Sequence, residues 1–147
     1  MTVAVFVDTN VLVYAKDTTE LQKQPKAEEW LSQLWDSSAG RISVQVLNEY
    51  YDVTTRKLQP GLKPEEARAD VRSLRAWRPL ALDTSLLESA WRTQDRFQLS
   101  FWDSLIVAAA HASGCEYLLT EDLQHDAEFD GMRVIDPFVT DPQSIAG

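Results

Sequence analysis

The chain of 147 residues contains one cysteine, Cys115, so no internal disulfide can hold the fold and a reducing compartment suits it. Glycine and proline are scarce, at five and six residues, which excludes collagen-like or low-complexity architecture. No apolar run approaches the ~18 residues of a membrane-spanning helix, so no membrane role is expected. The opening MTVAVFVD has neither the basic start nor the length of a secretion signal, and the expected location is the cytoplasm. Neither common Gly-rich phosphate loop occurs, which disfavours a nucleotide-dependent enzyme. The two histidines, His111 and His125, lack paired zinc spacing, and no Gly-x-Ser-x-Gly elbow is present. His111, on an alanine-rich segment, reads as a structural residue. What the sequence does have is carboxylates.

Acids outnumber bases 23 to 14, for a formal net charge of −9. That balance argues against a nucleic-acid partner, because phosphate affinity normally comes from Lys and Arg. The distribution is uneven, however. Nine of the basic residues (Arg56, Lys57, Lys63, Arg68, Arg72, Arg75, Arg78, Arg92 and Arg96) fall within residues 53–96, against six acids. A basic rim beside an acidic centre is compatible with this pattern, as are two solvated helix faces.

Val3–Val7 has no helical period and reads as a buried strand ending at Asp8-Thr9-Asn10, residues suited to capping a helix over Val11–Ala15. A helix opened by Pro25 places Trp30, Leu31, Leu34 and Trp35 on one face and ends near Ser37–Gly40. Arg41–Val44 is a second strand, followed by a helix over Val46–Leu58. After the Pro60-Gly61 break, Pro64-Glu65-Glu66 opens a helix to about Trp77. Pro79–Leu82 is a third expected strand, and Thr84 or Ser85 with Glu88 resembles a capping box for a helix to Gln98. Asp103–Ala112 is a helix ended by Ser113-Gly114, Tyr117–Leu119 a fourth strand and Met132–Ile135 a fifth. Strands alternating with helices predict a single α/β domain over residues 1–147 with a parallel sheet.

Ligands of such sheets bind beyond the carboxyl ends of the strands. Asp8 directly follows the first strand, Asp122 comes three residues after Leu119, Asp103 opens a helix, and Glu49 lies one turn into the helix after the second strand. Each has a local alternative: Asp8 as a cap, Asp103 as the acid of a Ser100 capping box, Glu49 as an exposed helical acid, Asp122 as a turn residue. Local roles do not explain why all four fall at the same predicted edge. Clustered carboxylates repel one another, and a divalent cation reverses that cost. An all-oxygen set suits Mg²⁺ or Mn²⁺.

The segments Val5-Phe-Val-Asp8-Thr9-Asn10-Val-Leu-Val, Ile42-Ser43-Val-Gln-Val-Leu-Asn-Glu49, Phe101-Trp102-Asp103-Ser104 and Leu118-Leu119-Thr120-Glu121-Asp122 resemble, in order and spacing, the motifs of PIN-domain nucleases. Within that family they resemble in particular the VapC toxins of bacterial toxin–antitoxin pairs. The resemblance spans residues 3 to about 138. It implies a three-layer α/β/α sandwich with a short parallel sheet and a Mg²⁺- or Mn²⁺-dependent endoribonuclease acting on RNA. Residue by residue, it assigns Asp8, Glu49, Asp103 and Asp122 to the acidic, metal-holding centre. Thr9, Asn10 and Thr120 become supporting residues that orient the acids, and Asp126 a further outer carboxylate. It also implies a homodimer and a small cognate antitoxin whose C-terminal segment covers the site, with an arginine suited to the acidic pocket.

Three rivals stand beside this reading. One is a non-toxin PIN enzyme of RNA processing, which sequence does not separate from a toxin. Another is a PIN-fold module that binds RNA or protein without cutting, which loss of an acid would favour, and none of the four is lost. The last is a receiver-like phosphotransfer domain, which needs a paired acid after strand one and a late lysine; here no lysine follows Lys63.

Overall fold

The computed structural model describes residues 3–145, so the outermost residues of the expected 1–147 domain lie outside the described residues. Its centre is a five-stranded sheet in the order β2-β1-β3-β5-β4. The strands are β1 (Val5–Val7), β2 (Gly40–Arg41), β3 (Tyr117–Leu119), β4 (Glu128–Phe129) and β5 (Met132–Ile135). The β1–β2, β1–β3 and β3–β5 pairs are parallel; β4 returns antiparallel to β5. The two-residue β4 carries no period in the sequence. It forms because Asp130 and Gly131, both at positive φ (51° and 88°), turn the chain back onto itself.

The helices are α1 (Thr9–Tyr14), α2 (Lys23–Ser37), α3 (Val44–Asp52), α4 (Pro64–Ser73), α5 (Thr84–Phe97) and α6 (Phe101–Ala112). This is the three-layer α/β arrangement that the alternating pattern predicts. Strands β1 and β3 are wholly apolar and almost wholly buried, as expected of a sheet covered on both faces. They join Trp30, Ile42, Val46, Tyr50 and most of α6 in one core. Gly40 is required there, since a Cβ would lie 2.4 Å from the Trp77 ring.

Several expectations change. Pro79–Leu82 is not a strand: only Leu80 bridges Ser43, and the pairing stops there because Val44, whose amide donates to the Leu80 carbonyl, already opens α3. The cap of α5 is Asp83, whose carboxylate accepts from the Leu86 amide, in place of the Thr84/Ser85 box. The helix expected over Val46–Leu58 is α3 followed by a π-helical turn, Val53–Lys57. Thr54 and Thr55 supply the reason: their hydroxyls donate to the carbonyls of Tyr50 and Tyr51, competing with the backbone amides and widening the turn. Not all aromatics enter the core. Trp30 is buried, but Trp35, Trp91 and Trp102 are exposed.

Candidate active site

Strand order reverses at β1: the chain moves outward to β2, then returns to place β3 on the other side of β1. The crevice of such a sheet opens at this switch. The register pairs Val7 with Leu119, so Asp8 and Thr120, the next residues of each strand, emerge side by side. Two sequence motifs 112 residues apart become one site here.

Asp8 is the cap of α1, as its position predicts, and it is buried. Its Oδ1 accepts from the Thr9 amide at 2.7 Å and its Oδ2 from the Thr120 hydroxyl at 2.9 Å. Asn10 Nδ2 lies within 3.0 Å of Thr120 Oγ1, 3.2 Å of Asp122 Oδ2 and 3.4 Å of Asp8 Oδ2, so one amide group spans both acids. The Asp122 amide in turn donates to Thr120 Oγ1 at 3.0 Å. Thr120 and Asn10 therefore hold the two carboxylates in fixed orientations. Thr9 takes part through its backbone; its own hydroxyl is buried without a partner among the described residues.

The electrostatics follow from this packing. Burial pushes the Asp8 carboxyl up from 3.8 to about 7, and the charges of Asp122 and Glu49 add to the effect. Hydrogen bonds from Thr120 and Thr9 oppose it without cancelling it. Asp122 is also raised, first by burial, with Asp103 and Glu121 contributing like charge against the Asn10 hydrogen bond. Asp122 and Glu49 thus act on Asp8, and Asp103 acts on Asp122, which links the four sequence-predicted acids in a chain. Asp103 reaches the group from the first turn of α6, where Ser100 caps the helix by accepting from the Asp103 amide.

Asp8, Thr9, Asn10, Glu49 and Asp122 line an open cleft of about 430 Å³. Tyr14, Asp17, Lys57 and Glu121 line it too. Helical spacing from Asn10 places Tyr14 on its face of α1, while Asp17 lies just past the helix's end. Glu121 is the unremarked middle residue of Thr-Glu-Asp. It accepts from the Tyr14 hydroxyl and pairs with Lys23 at 2.9 Å, bracing the loop that carries Asp122. Among the described residues no three acids, histidines or cysteines converge as a ready metal cage. The donor chemistry nevertheless fits a hard cation: the carboxylates offer only oxygens, and burial, with like charge added, already raises two of them.

The structure does not bring Asp126 to this group. It sits at positive φ (66°), exposed, with its carboxylate 3.5 Å from His125 Nε2. His111 is structural: its Nε2 lies 2.6 Å from the Phe129 carbonyl, tying α6 to β4. The expected basic rim is mostly elsewhere. Of the nine basic residues in 53–96, Lys57 alone lines the cleft. Arg56 pairs with Asp52 and Arg96 with Asp130. Arg68, Arg72 and Arg75 line a separate groove of about 370 Å³ between α3 and α4.

Comparison with known proteins agrees with this architecture. No curated protein sequence matches the chain. Among solved structures, VapC20 of Mycobacterium tuberculosis, described as a toxin cleaving the sarcin–ricin loop, superposes with a TM-score of 0.60. It shares 23% identity over 78% of this chain and 87% of its own. A toxin–antitoxin complex from Klebsiella pneumoniae gives a TM-score of 0.63 at 19% identity, covering 91% and 97% of the two chains. At these identities the likeness speaks for the fold. The sequence profile of the PIN domain matches residues 5–127, from β1 past Asp122, and the chain belongs to the PIN domain family.

Proposed function

We propose that this protein is a VapC-like endoribonuclease that cuts RNA phosphodiesters at the cleft beside β1 and β3, with the chain 1–147 acting as one nuclease domain. The observation that carries the proposal is the buried, hydrogen-bonded Asp8, whose carboxyl is raised by burial and by the other acids of the cleft. A buried acid kept among acids is an unfavourable arrangement for a merely structural cap, and an intelligible one for a cation site.

Asp8, Asp103 and Asp122 are the residues that would hold Mg²⁺ or Mn²⁺, and Glu49 would ligate or orient the attacking water. A divalent cation in such a site supplies charge stabilisation at the phosphodiester and makes water acidic enough to attack near neutral pH. The chain's own contribution is positional. Thr120 and the Thr9 amide fix both oxygens of Asp8, and Asn10 ties Asp122 to the same frame. Water as nucleophile gives 5′-phosphate and 3′-hydroxyl ends.

The toxin–antitoxin complex among the structural neighbours supports a small antitoxin as partner. A homodimer belongs to the same reading, and the exposed Trp91 and Trp102 leave apolar surface for protein contact. No described helix is long and apolar enough to cross a membrane. The test is cleavage of RNA with and without Mn²⁺ by the wild type and Asp8→Asn. Undiminished cleavage by the variant, or activity persisting in EDTA, overturns the proposal. Co-purification with the product of a neighbouring gene tests the partner.

A further inference from the structure

A polyanionic substrate entering this cleft meets Asp8, Asp17, Glu49, Glu121 and Asp122, with Lys57 as the sole basic residue in the lining. The position of Lys57 is a consequence of the π-helical turn. In an α-helix the face shared by Glu49 and Val53 drifts around the axis, because four residues exceed one turn. The turn over Val53–Lys57 closes with a Leu58 N–H to Val53 carbonyl bond of 2.9 Å, one residue wider than the α pattern. That extra residue offsets the drift, so Glu49, Val53 and Lys57 all face the cleft.

Lys57 is also uncommitted. Among the described residues it makes no ion pair, whereas Lys23 is held by Glu121 between the Tyr14 and Phe138 rings and Lys16 by Asp70. Its neighbour Asp52 is already engaged by Arg56, whose Nε and Nη2 donate to its two oxygens. Lys57 is exposed at the rim, so its ammonium keeps the reach of a flexible four-carbon stem.

We infer that Lys57 is a substrate-binding residue, whose ammonium holds a backbone phosphate of the RNA next to the phosphodiester presented to the acids. This rests on the nuclease reading above and adds to it the anchor on the cleft wall opposite in charge. Phosphate contacts of this kind position a strand without reading its sequence.

The experiment compares the wild type with Lys57→Met and Lys57→Arg. Binding of a fluorescein-labelled single-stranded oligoribonucleotide is read by anisotropy in Ca²⁺ over a salt series, and cleavage of total bacterial RNA is read in Mn²⁺. Circular dichroism checks that the variants fold, as an exposed position allows. Lys57→Met is expected to weaken binding about three- to tenfold and to reduce the slope of log Kd against log salt by about 0.7, the loss of one phosphate contact. Lys57→Arg is expected to restore both. An unchanged slope in Lys57→Met, or no rescue by arginine, overturns the inference while leaving the nuclease reading intact. A wild type that neither binds nor cuts overturns both.

Discussion

Helix α3 separates two depressions of opposite character. On one side Glu49 and the turn that follows face a cleft of five carboxylates and one lysine. On the other, Leu47, Asn48 and Tyr51 face a groove floored by Val44 and Val71 and edged by Arg68, Arg72 and Arg75. The cleft is held by a polar network that reaches from α1 to the loop after β3. Across the groove, among the described residues, Arg68 makes a cation–π contact over Tyr51, 5.7 Å from the ring centre. A net charge of −9 therefore conceals two fields rather than one, and the proposed function assigns the RNA-cutting chemistry to the side richest in acid. A cation held in an acidic cleft, as proposed for this one, would supply affinity for phosphate without a basic surface.

The sharpest way to break this contrast is Asp8→Asn. It should lower RNA cleavage by more than ~100-fold, since on the proposed function it removes a cation ligand and not merely its support. Cleavage assays with excess Mn²⁺ would show whether added metal restores it. The same variant should be more stable than the wild type without metal at pH 8.

The sign of the pH effect follows from the raised carboxyl. Folded Asp8 keeps its proton up to about pH 7 while the unfolded chain releases it near 3.8. Between those values the folded state binds more protons, so metal-free stability falls as pH rises and levels off above about 7. The expected loss is on the order of 4 kcal/mol. Urea denaturation at pH 4, 6 and 8 measures it, and Asp8→Asn should flatten the curve. A wild-type curve that rises across this window would contradict the electrostatic account of the cleft.

Thr120→Val tests the frame rather than the acids. It deletes the donor to Asp8 and the acceptor for the Asp122 amide, and should cost about 10- to 100-fold in activity or metal affinity. Stability should fall by about 1–3 kcal/mol, read by urea denaturation, because a buried carboxylate oxygen loses its partner. The smallest effect belongs to the groove: Arg72→Ala should change RNA cleavage by less than about twofold, since Arg72 lies across α3 from the acids. An Arg72 effect as large as that of Lys57→Met would erase the distinction between the two sides.

Much of this was readable from the chain, and for identifiable reasons. Asp8 caps α1 where its residue type and position predict, whereas Ser43, expected within the strand Arg41–Val44, instead caps α3 and leaves β2 as Gly40–Arg41. The apolar runs of β1 and β3 are strands because they are buried on both faces, and the Leu105–Ala110 stretch of α6 is apolar all round because it too is buried. Pro79–Leu82 misled because a short apolar run after proline looks alike whether or not its amides find partners. The π-helical turn was hidden because Thr54 and Thr55 fit an α-helical spacing equally well. Only their hydroxyl bonds to Tyr50 and Tyr51 show that the turn widened.

The sequence by itself determined which acids are available, their order, and the strand-to-helix junctions that place them at one edge of a sheet. Those features depend on caps and periodicities spanning a few residues. Tertiary structure alone decided that Asp8 meets Thr120, that burial raises its carboxyl, that Asp126 turns to His125, and that Lys57 rather than the arginines faces the cleft. Each of these rests on register, burial or helix winding, which are set by contacts between distant segments and leave no local trace in the chain.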